Sequence, residues 1–206
     1  MGSSSPILDV SLLRAFEERL RLWDLPVGRW ANPGLTDDEM DEVVAPLGLR
    51  LPIEARIWWG WYDGETKEGR GKLFTPWDGM LPLREAVDVY LSFRSMANKL
   101  SEPDHLPPPR DNPDFFWHPG WFPLLGPQLP FVIDCSVGEN EPTPIRMIDW
   151  QDVDGFFEPR AGSFGQMVAW WIEAIDSGAW DRDTERQRWR SRHMLLPPEL
   201  RRTQLV

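Results

Sequence analysis

Leu12, Leu13, Phe16, Leu20 and Trp23 recur at helical spacing with Arg and Glu between them. This predicts an amphipathic helix opening near Asp9 or Ser11. Pro26, Gly28, Pro33 and Gly34 then break the chain. Thr36 followed by Glu39 has capping-box spacing, with Met40, Val43, Val44 and Leu47 as the apolar face behind it and Gly48 as the stop. Pro52 suits the first turn of a third helix running through Ile53, Ile57, Trp58 and Trp61, which Asp63-Gly64 ends in a turn. A polar, glycine-rich excursion runs to Gly71, and Leu73-Phe74 suggest a short strand. Residues 83–100 read as a longer helix carrying Leu83, Ala86, Val87, Tyr90, Leu91 and Met96.

The pattern then changes. Residues 101–113 contain five prolines and predict an exposed loop. Residues 121–125, 129–135 and 145–150 are short, apolar, turn-bounded runs, read as antiparallel strands. Ser163 opens a last helix through Met167, Val168, Trp170, Trp171 and Ile175, stopped by Gly178. The arginine-rich tail from Asp181 reads as helical at first, then irregular beyond Pro197. Helices, then strands, then a helix imply an α+β fold, an antiparallel-rich mixed sheet with helices packed on one face. The chain reads as a single domain over 1–206, with its core at 36–180, an N-terminal helix at 9–24 and a C-terminal extension at 181–206.

Composition sharpens this picture in two ways. Thirteen of the 206 residues are tryptophan, concentrated in the blocks 51–64, 117–135 and 163–180. Consecutive aromatics on one helix cannot all face a single core, so one of Trp58, Trp59 and Trp61, and one of Trp170 and Trp171, is expected to be at least half exposed. The net charge of −11 is uneven: residues 181–202 hold seven Arg against four acids, which leaves −14 on the remainder. An acidic body disfavours nucleic acid and anionic membranes and favours a basic protein partner, or solubility alone. A single cysteine, Cys135, excludes an intrachain disulfide and a cysteine zinc site. With no apolar run of membrane length and no signal-peptide core, the expected location is the reducing cytoplasm.

The catalytic templates fail one by one. Nothing in the sequence pairs Cys135 with His105, His118 or His193, and the histidines lack metal-ligand spacing. His118 reads as a turn cap. Aligning Gly155 with the required glycine of a calcium loop puts Trp150 at the first ligand position and Ala161 at the last. The glycines at 60, 64, 69 and 71 make no phosphate loop. No catalytic residue, metal or cofactor is expected; the sign of an enzyme would be a ligand in a pocket lined by His118 or Cys135.

Taken in order, the tryptophan blocks carry a resemblance. Leu51-Pro52, Trp58, Gly60 and Asp63-Gly64 resemble the helix-to-turn signature of the SUKH superfamily, which includes fungal cell-wall synthesis regulators and bacterial immunity proteins. Trp77 with residues 81–86 is similar to the segment entering its middle helix. Residues 117–124 followed by 131–134 resemble its strand pair, and Ser163-Phe164, Trp170 and Gly178-Ala179-Trp180 its closing helix. The turn at 138–142 departs from the pattern in being acidic and proline-containing. The resemblance implies a non-enzymatic protein-binding domain, an immunity protein that blocks a secreted nuclease or deaminase toxin by direct binding; the alternative is an adaptor with several partners. Trp59, Trp61, Asp63 and Glu65, with Asp149, Asp152 and Asp154 near a strand end, are the candidate partner contacts. Exposed tryptophan beside acids is the usual make-up of an interface anchor.

Overall fold

In the computed structural model, which describes residues 5–76, 79–102, 110, 112–126, 130–148, 158–183 and 188–202, the architecture is α+β. Asp9 opens α1 (Val10–Arg21) by accepting from the Leu12 N–H at 2.8 Å. The stretch expected only to break the chain instead holds a single helical turn, α2 (Val27–Trp30), and a short strand, β1 (Ala31–Pro33). Thr36 and Glu39 close the reciprocal box at the start of α3 (Asp37–Val44), each satisfying a backbone N–H that the helix leaves free. Pro52 precedes α4 (Ile53–Trp61).

After α4 the chain does not simply turn. It extends as β2 (Tyr62–Glu65) and pairs antiparallel with β1. Leu73 and Phe74 are fully buried but irregular, so their apolarity reports burial and not strand. The middle helix, α5 (Leu83–Ser101), starts as expected. A one-turn helix, α6 (Pro113–Phe116), follows. Next come β3 (Trp121–Leu125), β4 (Phe131–Asp134) and β5 (Ile145–Met147), a three-stranded antiparallel sheet in sequential order. Trp121 pairs with Asp134, and Ile133 with Ile145. Ser163 caps α7 (Phe164–Asp176) through the Gln166 N–H at 2.9 Å.

The tail departs most from expectation. It forms a hairpin, β6 (Trp180–Asp183) against β7 (Arg188–Ser191), and not a helix. The reason is a period of two. Trp180, Arg182 and Trp189 share one face, with Arg182 opposite Trp189, while Asp181 and Asp183 alternate with them opposite Arg190 and Arg188. The described strands therefore form three separate antiparallel ladders rather than one mixed sheet.

One aromatic cluster joins these pieces. α5 lies over β3, stacking Phe93 on Trp117 with ring centroids 4.8 Å apart, and α1 packs beside α7. Trp58 sits at the centre, 5.4 Å from Phe74, 5.1 Å from Phe164 and 6.2 Å from Trp171. From Trp171 the contacts continue through Trp180 and Trp189 to Trp23 at the end of α1. Each such pair is worth about 0.5–1.5 kcal/mol beyond the area it buries. The cluster holds the C-terminal hairpin to the N-terminal helix.

Glycine is required where β1 leaves for α3. A Cβ on Gly34 would lie 2.0 Å from the Gly60 carbonyl oxygen and 2.6 Å from its carbon, both backbone atoms of α4. Gly34→Ala is therefore expected to destabilise the chain by roughly 1–3 kcal/mol, read as a lower urea midpoint, because two backbones must separate. Gly60→Ala is the control. Its Cβ would meet nothing nearer than 3.6 Å, and alanine suits a helix better than glycine, so its midpoint should hold or rise.

Candidate partner-binding surface

The aromatic and acidic candidates run along α4 into β2, and the fold divides them. Trp58 and Trp59 are both fully buried, because α4 has a packed neighbour on each side. Trp58 enters the aromatic cluster. Trp59 faces the other way, edge-on to Phe122, and its indole N–H donates to the Leu81 carbonyl at 3.1 Å. Trp59 thus presents nothing to a partner. Trp61 is partly buried, packed on Phe16, Phe74 and Tyr62, and its N–H donates to Glu17 Oε2 at 3.1 Å. None of the three tryptophans reaches half exposure, and neither does Trp170 or Trp171.

The two acids of β2 have structural partners. The Asp63 carboxylate accepts the Leu83 N–H at 2.6 Å. It thereby caps α5, whose own N-cap, Pro82, offers no side-chain acceptor. Burial raises the Asp63 pKa, while the Leu83 hydrogen bond and the Arg84 charge oppose the rise. Glu65 is 1% exposed and accepts the N–H groups of Gly71 at 2.6 Å and Phe74 at 3.0 Å. Burial pushes its carboxyl up to about 7 against those two bonds and the Arg70 charge. A carboxylate so enclosed anchors the 66–74 loop and is no surface contact. Asp149, Asp152 and Asp154 lie outside the described residues.

Sequence reasoning passed over two acids that matter more. Glu17 reads as a solvent-face residue of α1, yet it accepts from Trp61 and, at 3.4 Å, from the Tyr62 hydroxyl while pairing with Arg21. Burial and the Glu17 charge raise the Tyr62 pKa. Glu54 reads as an ordinary first-turn acid but is completely buried. Among the described residues, exposed acids cluster on α3, where Asp37, Asp38, Asp41 and Glu42 are exposed and Glu39 is close enough for its charge to act on Asp63. The thirteen-tryptophan composition draws attention to the aromatic helix; the acid-rich α3 beside it was legible only as a helix start.

Nucleophilic chemistry has little to build on. Cys135 lines a cavity of about 320 Å³ with Leu49, Arg50, Leu51, Pro52 and Glu139. Burial, with the Asp134 charge second, drives its thiol pKa upward, and a thiol held protonated is a poor nucleophile. His118 Nδ1 accepts the Gly120 N–H at 3.1 Å, the turn cap expected of it. Among the described residues no three His, Cys, Asp or Glu side chains gather as a metal ion would need, and no helix is long and apolar enough to cross a membrane. No protein-family profile and no curated protein matches the chain.

Proposed function

We propose that this chain is a non-enzymatic protein-binding domain of the SUKH kind, an immunity protein that neutralises a basic secreted toxin of nuclease or deaminase class by binding it directly in the cytoplasm. The observation that carries the reading is how the chain uses its basic charge. Ten arginines (19, 21, 29, 50, 56, 70, 94, 146, 190 and 192) are held in ion pairs with the chain's own acids. Paired charges cancel at a distance, so the field a partner meets is set by the excess acid. On α3, Asp37 and Asp41 are answered by Arg56 of α4, while Asp38 and Glu42 are exposed and form no ion pair among the described residues. Such a face accelerates encounter with a basic partner and weakens its hold as salt rises.

An adaptor would draw on the basic tail as a second surface. Several of its described arginines are engaged within the chain, although Arg188, Arg190 and Arg192 stay exposed. Arg190 and Arg192 pair with Asp183 and Asp181, Arg182 lies over two indoles, and Arg201 donates to the carbonyls of Met194 and Leu196.

A pull-down with the purified chain at low and high salt tests the proposal. One dominant, basic, salt-sensitive partner, toxic when expressed alone, is the expected result. The double variant Asp38→Lys, Glu42→Lys should then slow association about tenfold or more at low salt, with the difference fading at high salt. Several weak, non-toxic partners indifferent to salt would overturn the reading and leave the adaptor.

A further inference from the structure

The C-terminal hairpin has two edges, and the chain treats them differently. The Arg192 N–H donates to the Ala179 carbonyl at 2.7 Å, so residues 192 and 179 form a hydrogen-bonded pair that continues the β6–β7 register. Antiparallel pairs alternate between hydrogen-bonded and open. The open pairs are therefore Ser191 with Trp180 and Trp189 with Arg182, and their backbone groups point outward, away from the partner strand. On the β6 side, Asp181 Oδ1 accepts the Arg182 N–H at 2.8 Å, and the Arg182 guanidinium donates to the Lys72 carbonyl of the 66–74 loop at 2.6 Å. That edge is closed at Arg182 by the chain itself. On the β7 side, Trp189 and Ser191 make no outward backbone hydrogen bond to any described residue, and β6 is the one described strand paired with β7. An edge of this kind is a template for another strand.

The side chains decide which strand fits. Arg188, Arg190 and Arg192 stand at alternate positions along β7 and just beyond it, all exposed and on one face. The acids that pair with two of them, Asp183 with Arg190 and Asp181 with Arg192, lie on the inner strand. A strand added outside β7 would run about 5 Å from the arginine backbone and about twice that from the aspartates. A second copy of β7 is disfavoured there, because arginine would face arginine. Acids at every second position are favoured. The opposite face belongs to Trp189, packed on Trp23 and Trp180, and suits apolar residues at the positions between. A nucleic acid would satisfy the guanidiniums but leave the Trp189 and Ser191 backbone unpaired.

We propose that the outer edge of β7 docks an extended acidic segment of a partner protein, which adds to the hairpin as a third strand with its acids opposite Arg188, Arg190 and Arg192. The site uses no residue of α3 and does not rest on the toxin-binding reading.

Fluorescence anisotropy with a short, end-capped, labelled peptide of alternating glutamate and valine tests this. The peptide should bind saturably, at least about tenfold more tightly than its counterpart with lysine for glutamate, because every cross-strand charge pair changes sign. Backbone N-methylation separates strand addition from charge alone. Methylating one alternating set, the valines for an antiparallel strand or the glutamates for a parallel one, removes the N–H groups that face β7 and should abolish binding; methylating the other set should leave it intact. Ser191→Pro deletes an outward N–H and no bond to β6, so it should abolish binding and keep the thermal midpoint. The methylated peptides need no variant, so the test survives a proline that perturbs the hairpin. Arg188→Glu, at an exposed position, should weaken the glutamate peptide and strengthen the lysine one. Equal affinity for the two peptides, the same response to both methylated sets, or no binding of the glutamate peptide at millimolar concentration overturns the proposal.

Discussion

Glu54→Ala is expected to cost this protein about 4–6 kcal/mol and to yield largely unfolded or insoluble chain. The carboxylate is completely buried, and each of its oxygens joins two backbone donors. Oε1 accepts from Leu8 at 2.6 Å and Gly165 at 2.8 Å; Oε2 accepts from Thr143 and, at 3.4 Å, from Phe164. Those donors belong to the N-terminal segment, the irregular segment leading into β5 and the first turn of α7, where unpaired N–H groups accumulate and the helix dipole favours an anion. Removing the acceptor leaves at least three buried N–H groups unpaired at roughly 1–3 kcal/mol each. Glu54→Gln keeps the volume but turns an amide donor toward other donors, and should fall between wild type and alanine. Chemical denaturation of the three proteins checks the order. A midpoint for Glu54→Ala within about 1 kcal/mol of wild type would mean the segments are joined by something else.

Glu54 also marks where the sequence stops being readable. α1, α3, α5 and α7 follow from spacing and caps because each has one apolar stripe, and β3 and β4 follow from short apolar runs bounded by turns. These signals are local. The hairpin of β6 and β7 was missed because its arginines suggested a solvated helix, although the alternation of tryptophan and charge across 180–183 and 188–191 was already visible. Two of the candidate contacts, Trp59 and Glu65, lie buried for a less visible reason. Trp59 and Glu65 are residue types common at interfaces, but α4 is covered on two sides and β2 runs beneath the 66–74 loop. Whether a helix has one buried face or two depends on what the rest of the chain places around it. No spacing within 53–65 encodes that. Asp63 shows the same limit, since it caps a helix twenty residues further along.

The second large effect is a dependence on pH, and Glu65 supplies it. Its carboxyl titrates at about 7 in the folded chain against an ordinary value of 4.5. A raised folded pKa means that the folded state holds the proton more tightly than the unfolded state. Its stabilisation is therefore complete below about pH 4.5 and is lost as pH rises through about 7, a total of about 3 kcal/mol at 1.36 kcal/mol per unit. Asp63, also raised by burial, acts with the same sign. Asp9, lowered by the Ser11 hydroxyl and then by the capping Leu12 N–H, and Glu39, lowered by its Thr36 hydrogen bonds, act oppositely and lose their contribution only as pH falls through their depressed values. The window from pH 4.5 to 8 therefore isolates the buried acids. Across it the urea midpoint of the wild-type chain should fall as pH rises. Glu65→Gln cannot ionise, so its midpoint should vary much less, from a lower starting level, because the amide sets a donor against the Gly71 or Phe74 N–H. Parallel slopes for the two proteins would assign the pH dependence elsewhere. A flat wild-type profile would mean that the loop opens enough to hydrate the carboxylate, in which case the Glu65 anchor is not closed in solution.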